Sequence, residues 1–511
     1  MKKIIIKLTG FQLVASLVGL AYSILQVRFF GTSAEMDAYF VAMSAVYMIT
    51  SLIQGGQLSE VFLPEYLKQK SKFGSKAAHN LLSAILNRMI LIVIIILIIS
   101  YFLSSIIINL TGPGLHSEFK ELGAQLFSLS LILIFFTLIG SFVNTTLNAE
   151  QIFGKTELSG LINGLVSIGI LVVFHGKYGI FILVYALLAG KIIEFVISLY
   201  FLKKIGYKYR LVWSSPQYDV FSFFKVMFTT SGYVAVTQVY SVTITAMASF
   251  LPVGSLSIFN YVTQLSSKAS NIIMGPISTV FFSKFSAIIA EGKGNLANHL
   301  KKPLSYIFII TFLIFCFITL IGSELLHLLW SKNSLIAYEF DVAYIMLCFN
   351  FFGFIFAAIG SIFRKSSVAL GNATRLYKGW IVVQLFCAVY AFISIYFLGI
   401  FGLMSILVIN MILMASISFY VSEKGELKSK LMIYKLILNK KLILFLTLML
   451  GSTLFIIAIF KSIYFTYMYN LLIKGSILFM LTIFYIFIFF KVEAMELLFT
   501  FLKKTQKENP I

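Results

Sequence analysis

The feature that most constrains this chain is a succession of about fourteen apolar runs, each long enough to cross a bilayer and separated by short basic connections. Their approximate limits are 8–30, 35–64, 83–110, 121–147, 157–175, 180–202, 221–250, 257–287, 303–329, 337–363, 378–398, 400–421, 441–461 and 467–491. About 20 apolar residues of helix cover the hydrocarbon thickness. Lipid offers no partner for a backbone N–H or C=O, so each run must close its hydrogen bonds internally as a helix. With 60% hydrophobic and 12% charged residues, and a mean hydropathy of +0.98, the chain lacks the charge of an ordinary soluble surface. The expected fold is an all-α integral membrane protein. Met1 to Lys7 is basic, and the apolar run after it continues to Phe30 with no cleavage-site pattern, so it reads as the first span.

The net charge of +21 admits nucleic acid as a partner, but the cations are spread over many short loops, and membrane topology explains them with fewer assumptions. With both termini cytoplasmic, about 32 of the 40 Lys and Arg residues fall on the cytoplasmic side, about six fall outside, and two, Lys191 and Lys268, lie within spans. Six spans precede the basic segment KKIGYKYRLVWSSPQYD (Lys203–Asp219). An even count in each half gives a parallel repeat, with the halves related by an axis along the membrane normal. The expected organisation is a six-helix lobe at 1–202, a basic cytoplasmic linker at 203–220, a second six-helix lobe at 221–421, and an appended helix pair with a basic tail at 422–511. The two lobes should flank a central cavity.

The second span carries Ser44, Tyr47, Thr50, Ser51, Gln54, Gln57, Ser59 and Glu60 around Gly55-Gly56, a surface suited to water or a polar ligand rather than lipid. A shift of about 220 residues brings Ile258–Phe285 under it, with Gly55 over Gly275, Ser59 over Thr279 and Phe62 over Phe282. Paired polar helices in corresponding positions of two halves point to a central transport site. In the later copy Asn260, Thr263, Gln264, Ser267, Lys268 and Asn271 share a broad face. An ammonium at the depth of Lys268 costs at least ~2.5 kcal/mol without water, a counter-ion or a bound anion. Candidate substrate-binding residues are therefore Lys268, Gln264, Asn260, Asn271, Gln54, Thr50, Ser51, Gln238 and Arg28. Gly55, Gly56, Gly275 and Pro276 are candidate hinges. Arg28 and Asp37 face each other across the first turn, either as an ion pair or with Asp37 in a gate. Lys191 and Glu194, three apart, read as a structural pair. Arg364, Lys365 and Arg375 are candidates for drawing phosphate to the cytoplasmic mouth, although topology alone places cations there.

No catalytic constellation emerges. His79, His116, His175, His299 and His327 are scattered, and no metalloprotease, nucleophile-elbow or phosphate-loop pattern occurs. Cys316, Cys348 and Cys387 sit in apolar runs with neither zinc nor disulfide spacing. No metal or cofactor is expected, the chain does not read as an enzyme, and the coupling ion, if any, is not written in the sequence.

The segments FGTSAEMDAYFVA (Phe30–Ala42) and QLSEVFLPEYLKQ (Gln57–Gln69) resemble the opening of the MurJ/MviN family of lipid II flippases, within the multidrug/oligosaccharidyl-lipid/polysaccharide exporter superfamily. A weaker echo lies at Ser361–Gly379. The resemblance implies two six-helix lobes around a V-shaped cavity, a bacterial cytoplasmic-membrane location, and flipping of an undecaprenyl-pyrophosphate-linked saccharide by alternating access, with cell-envelope enzymes as possible partners. One departure stands out. Where the family carries pyrophosphate-gripping arginines, this chain has Ser16, Tyr22, Thr50 with Ser51, and Gln264, with Lys268 one turn on as the obvious substitute. A Wzx-type flippase for O-antigen or capsule units is the near alternative. A cation-coupled drug exporter should carry buried acids, and a polymerase or ligase a large outer loop; the deep Lys268 and the short loops disfavour both.

Overall fold

The computed structural model describes residues 2–54, 61–214, 218–290, 296–330, 335–422, 440–460 and 466–508. Its elements are α1 (Lys2–Phe30), α2 (Ala34–Gln54), α3 (Leu63–Phe73), α4 (Ser75–Phe102), α5 (Ser104–Thr111), α6 (Ser117–Ala149), α7 (Phe153–Tyr178) and α8 (Phe181–Lys204). They continue with α9 (Val220–Ala248), α10 (Ser255–Ala290), α11 (Leu296–Leu329), α12 (Ala337–Ala369), α13 (Ala373–Leu398), α14 (Ile400–Ser422), α15 (Lys440–Phe460) and α16 (Tyr467–Glu508). Twelve helices among the described residues are long and apolar enough to cross a membrane. Helices α9 and α10, of 29 and 36 residues, are the two further elements of crossing length, which matches the fourteen expected spans. The all-helical expectation holds; several helices match the hydropathy runs within a few residues, while α4 and α11 begin seven or eight residues earlier and α16 continues to Glu508.

One difference lies in the third apolar run. The third apolar run is two helices, because α4 ends at Leu103 (φ −95°, ψ 9°), whose N–H still bonds the Ile99 carbonyl, and α5 restarts at Ser104. Hydropathy is blind to such a break, since Tyr101 to Ile107 stays largely apolar through it. Helix α9 starts at a true cap: the Asp219 carboxylate accepts from the Phe221 N–H (3.0 Å) and the Ser222 hydroxyl (2.8 Å), and these bonds, Ser222 first, hold its pKa below the usual carboxylate range.

The chain forms two compact units. The first comprises residues 1–277, 333–335 and 377–410. Within it α2 is nearly enclosed, packing on α6 and α9, while α7 pairs with α8 and α1. Gly190 lets α8 approach α7 closely, since a Cβ there would sit 2.2 Å from Asn163 Oδ1 and 2.3 Å from Ser167 Oγ. The α13 portion packs on α9 through Tyr233, Tyr377 and Trp380, with ring centroids 5.4–5.9 Å apart.

The second unit comprises residues 278–332, 336–376 and 411–511. Here α15 and α16 pack on α11 around Cys316, Leu320, Phe445, Met449, Ile456 and Leu478. A buried ion pair, Lys474 Nζ to Glu324 Oε1, fixes α16 to α11, and the His327 ring stacks on Phe340 (3.9 Å) and Tyr467 (4.2 Å). All three cysteines are free; Cys316 and Cys387 are buried and Cys348 is half-buried, as small apolar core residues are. The division between units falls at Ile277, directly after Gly275 and Pro276, through which α10 runs as continuous helix. Gly55 and Gly56 lie outside the described residues.

Candidate functional site

In the first unit the polar faces of α2, α9 and α10, joined by Leu407 of α14, line a cavity of about 330 Å³. Helix α2 contributes Tyr39, Phe40, Met43, Ser44 and Tyr47; α9 contributes Tyr240, Ser241, Ile244 and Thr245; α10 contributes Phe259, Asn260, Thr263 and Gln264. The spacing within each helix, steps of one, three and four residues, is that of a single face. A site of this size, with an aromatic wall and a few converging polar groups, is the usual character of a ligand pocket.

The polar groups here bond largely to their own helix backbone. Thr263 donates to the Phe259 carbonyl (2.8 Å) and Asn260 to Leu256 (2.9 Å), while Ser44 and Thr245 bond across α2 and α9 at 3.1 Å. Hydroxyls satisfied in this way keep acceptor lone pairs, and the amides keep further donors and acceptors, for whatever enters. Gln264 accepts from the Ser23 hydroxyl of α1 (3.0 Å). One turn along, Lys268 lies against Gly19: a Cβ on that glycine would be 3.1 Å from Nζ. The bare backbone of α1 therefore makes room for the ammonium.

One end of this helix cluster is closed by Asp37. Its carboxylate accepts from the Gly254 N–H (2.7 Å), the Ser257 N–H (2.8 Å) and the Ser257 hydroxyl (2.5 Å), so a buried charge on α2 sits at the N-terminus of α10. That is where a helix presents unsatisfied N–H groups and a positive dipole end. The Tyr261 hydroxyl adds a 2.7 Å bond to the Gly31 carbonyl in the α1–α2 turn. Asp37 thus serves a helix more than 200 residues away.

The structure sorts the other candidates. Asn260 and Gln264 line the cavity, whereas Lys268, one turn beyond Gln264, lies outside its lining and rests against Gly19. Thr50 is buried and donates to the Val46 carbonyl (2.8 Å), and Ser51 is half-buried beside it. Gln54 lines a different cavity, of about 180 Å³, with Thr137, Ser141, Asn144, Lys191, Glu194 and Ser198. There Glu194 takes bonds from Lys191 (2.8 Å), Asn163 (2.7 Å) and Asn144 (3.3 Å), the internal pairing expected for Lys191 and Glu194. Gln238 is half-buried on α9 outside the first cavity's lining, and Asn271 and Arg28 are exposed. Arg364 (exposed) and Lys365 (half-buried) lie near the end of α12, and Arg375 (exposed) lies in the first turn of α13, all in the second unit. Tyr39 and Tyr240 were missed from sequence; Tyr39 stands eight residues before Tyr47, and that helical register was the available signal. Among the described residues no cluster of three or more His, Cys, Asp or Glu side chains is suited to a metal.

Comparison with known proteins follows the same lines. Residues 26–474 match the family described as "Lipid II flippase MurJ". A lipid II flippase MurJ of Thermosipho africanus is 30% identical over 179 residues, covering 35% of this chain and 37% of that protein. A probable lipid II flippase MurJ of Thermotoga maritima is 25% identical over 295 residues, 57% of each. The aligned stretches thus span less than two thirds of these relatives. Among solved structures, a lipid II flippase MurJ in an inward closed conformation superposes with a TM-score of 0.79 at 22% identity, covering 95% of this chain and 99% of the other. An inward-facing multidrug resistance MATE transporter of the MOP superfamily superposes with a TM-score of 0.64 at 15% identity, covering 83% and 96%. With the family match running from the end of α1 into α16 over an all-helical fold of this kind, the chain belongs to the lipid II flippase MurJ family.

Proposed function

We propose that this protein moves a polyprenyl-pyrophosphate-linked saccharide, lipid II in the first instance, from the cytoplasmic to the outer leaflet of a bacterial cytoplasmic membrane. The observation that carries this reading is the cavity itself: amide, hydroxyl and tyrosine groups from three spans converge on about 330 Å³ inside an otherwise apolar chain, and Lys268 lies one turn beyond the lining residue Gln264. Such surfaces are costly in lipid and are retained where water or a polar cargo is met. The polyprenyl tail stays in the bilayer while sugars and pyrophosphate pass through protein. Lys268 supplies the cation for the pyrophosphate, and Asn260, Gln264, Ser44 and Thr245 supply the sugar-binding edges.

Alternating access is the motion that fits, with lobes at 1–202 and 221–421 rocking about each other, both termini cytoplasmic, and α10 bending at Gly275-Pro276. The Asp37 junction is the gate: its bonds to residues 254 and 257 hold α2 and α10 together at one end and must break for that end to open. Net direction then depends on cargo binding the two states unequally.

A second reading is favoured by one feature, a lining made of tyrosines, amides and hydroxyls with Lys268 as the nearby cation. That suits a surface-polysaccharide repeat unit with varied sugars. Conditional depletion in the native host separates the two. Accumulation of lipid II on the cytoplasmic leaflet followed by lysis supports the cell-wall cargo; normal growth with loss of a surface polymer supports the other. Depletion that changes neither lipid-linked pool overturns both.

A further inference from the structure

The basic segment at the end of α8 and beyond it is strapped along α4. Tyr207 is buried with its hydroxyl 2.9 Å from Ser83 Oγ and its ring edge-on to His79 (5.5 Å). The buried Asn87 side chain donates to the Arg210 carbonyl (3.0 Å) and the Val212 carbonyl (2.7 Å) and accepts from the Tyr209 hydroxyl. The strap is therefore held by two side chains, Tyr207 and Tyr209, and by the backbone carbonyls of Arg210 and Val212, while its basic side chains are exposed. Lys203, Lys204, Lys208 and Arg210 are all exposed, as are Leu211 (74%) and Trp213 (48%). From Lys203 to Trp213 there are four cations and no acid.

The depth of this strap follows from α4. After Arg88 no charged residue occurs until Glu118, so the apolar stretch carried by the rest of α4 and by α5 enters the hydrocarbon close to Met89. Ser83 and Asn87, which anchor the strap, thus stand within two turns of the point where hydrocarbon gives way to headgroups. A basic run beside exposed Trp and Tyr at that level has the composition that leaflets with anionic lipid attract.

We propose that residues 203–213 form a rigid docking strap for anionic phospholipid headgroups of the adjoining leaflet, with Lys208 and Arg210 as the phosphate-binding cations and Leu211 and Trp213 seated at the acyl boundary. Anchoring to α4 means these side chains are presented without the ordering cost a free linker would incur. The strap binds lipid whatever the cargo of the cavity.

Tryptophan provides the test. The chain has three, and Trp330 (2% exposed) and Trp380 (8%) are buried, so Trp330→Phe with Trp380→Phe leaves Trp213 as the reporter. The full chain is reconstituted in vesicles containing brominated phosphatidylglycerol or brominated phosphatidylcholine at equal mole fraction. We expect half-maximal quenching of Trp213 at a several-fold lower fraction of the anionic lipid, with that preference removed by Lys208→Ser plus Arg210→Ser and reduced in high salt. Equal quenching by the two lipids would overturn charge recognition. No quenching by either would overturn membrane docking and leave the strap facing a protein partner. Should the tryptophan variant fail to fold, native mass spectrometry of the otherwise unaltered chain decides: retained phosphatidylglycerol that falls in the Lys208→Ser/Arg210→Ser variant supports the strap, and retention that does not change overturns it.

Discussion

Two polar regions lie a few turns apart in the same helical unit, and they differ in how their bonds close. Around Glu194, the donors Lys191, Asn163 and Asn144 converge on one carboxylate, so the cluster is neutral and largely satisfied by its own members. In the cavity between α2, α9 and α10, most hydroxyls and amides bond to the backbone of their own helix and leave their remaining capacity turned inward. Polar content alone therefore does not mark a transport surface. What matters is whether the groups satisfy one another or leave their remaining donors and acceptors to a guest.

That contrast can be broken or sharpened by substitution. The largest effect is expected at Asp37, which resembles Glu194 in being a carboxylate fully occupied by protein donors. Asp37→Ala strands the Gly254 and Ser257 donors in a buried setting and should destabilise the fold by on the order of 3 kcal/mol, read as a clear fall in melting temperature in detergent. An unchanged melting temperature would remove the junction from the stable structure. Next, Glu194→Ala should cost about 2 kcal/mol by leaving Lys191 and Asn163 without their acceptor, and Lys191→Leu combined with Glu194→Leu should recover much of it. If the double variant is no more stable than the single one, the cluster is not a self-contained pair.

Cavity-side changes should behave the other way. Lys268→Ala is expected to lower flipping at least tenfold, about 1.4 kcal/mol, while leaving the melting temperature within a degree or two. The smallest effect is expected at Gly19. Gly19→Ala meets only the end of the Lys268 side chain, so the ammonium shifts by a few tenths of an ångström at little cost to stability, and flipping should fall by a factor of about three. Wild-type flipping in that variant would show that the position of the ammonium is not important.

Much of the fold was legible because lipid leaves a chain few options: an apolar run of the right length becomes a helix, and the runs marked at 121–147, 180–202 and 400–421 reappear as α6, α8 and α14 within a few residues at each end. Short-range chemistry was legible too, as with Lys191 and Glu194 three residues apart on one helix. Long-range partners were not. Nothing in FGTSAEMD indicates that Asp37 will cap a helix beginning at Ser255, and nothing in KKIGYKYRLVW indicates that Asn87 will hold its backbone. On the polar face of α2, Ser44 and Tyr47 line the first cavity, but Gln54, seven residues beyond Tyr47 on the same helix, turns toward the Glu194 side, because a helix enclosed on several faces can serve two neighbours at once.

The cysteine pattern has a practical consequence. With Cys316 and Cys387 buried and Cys348 half-buried, the natural thiols offer little to a membrane-impermeant maleimide, which needs a reachable thiolate. A single Tyr47→Cys replacement, at a side chain 59% exposed on the cavity wall, would then report from the native background which face of the membrane can reach the interior at each stage of the cycle.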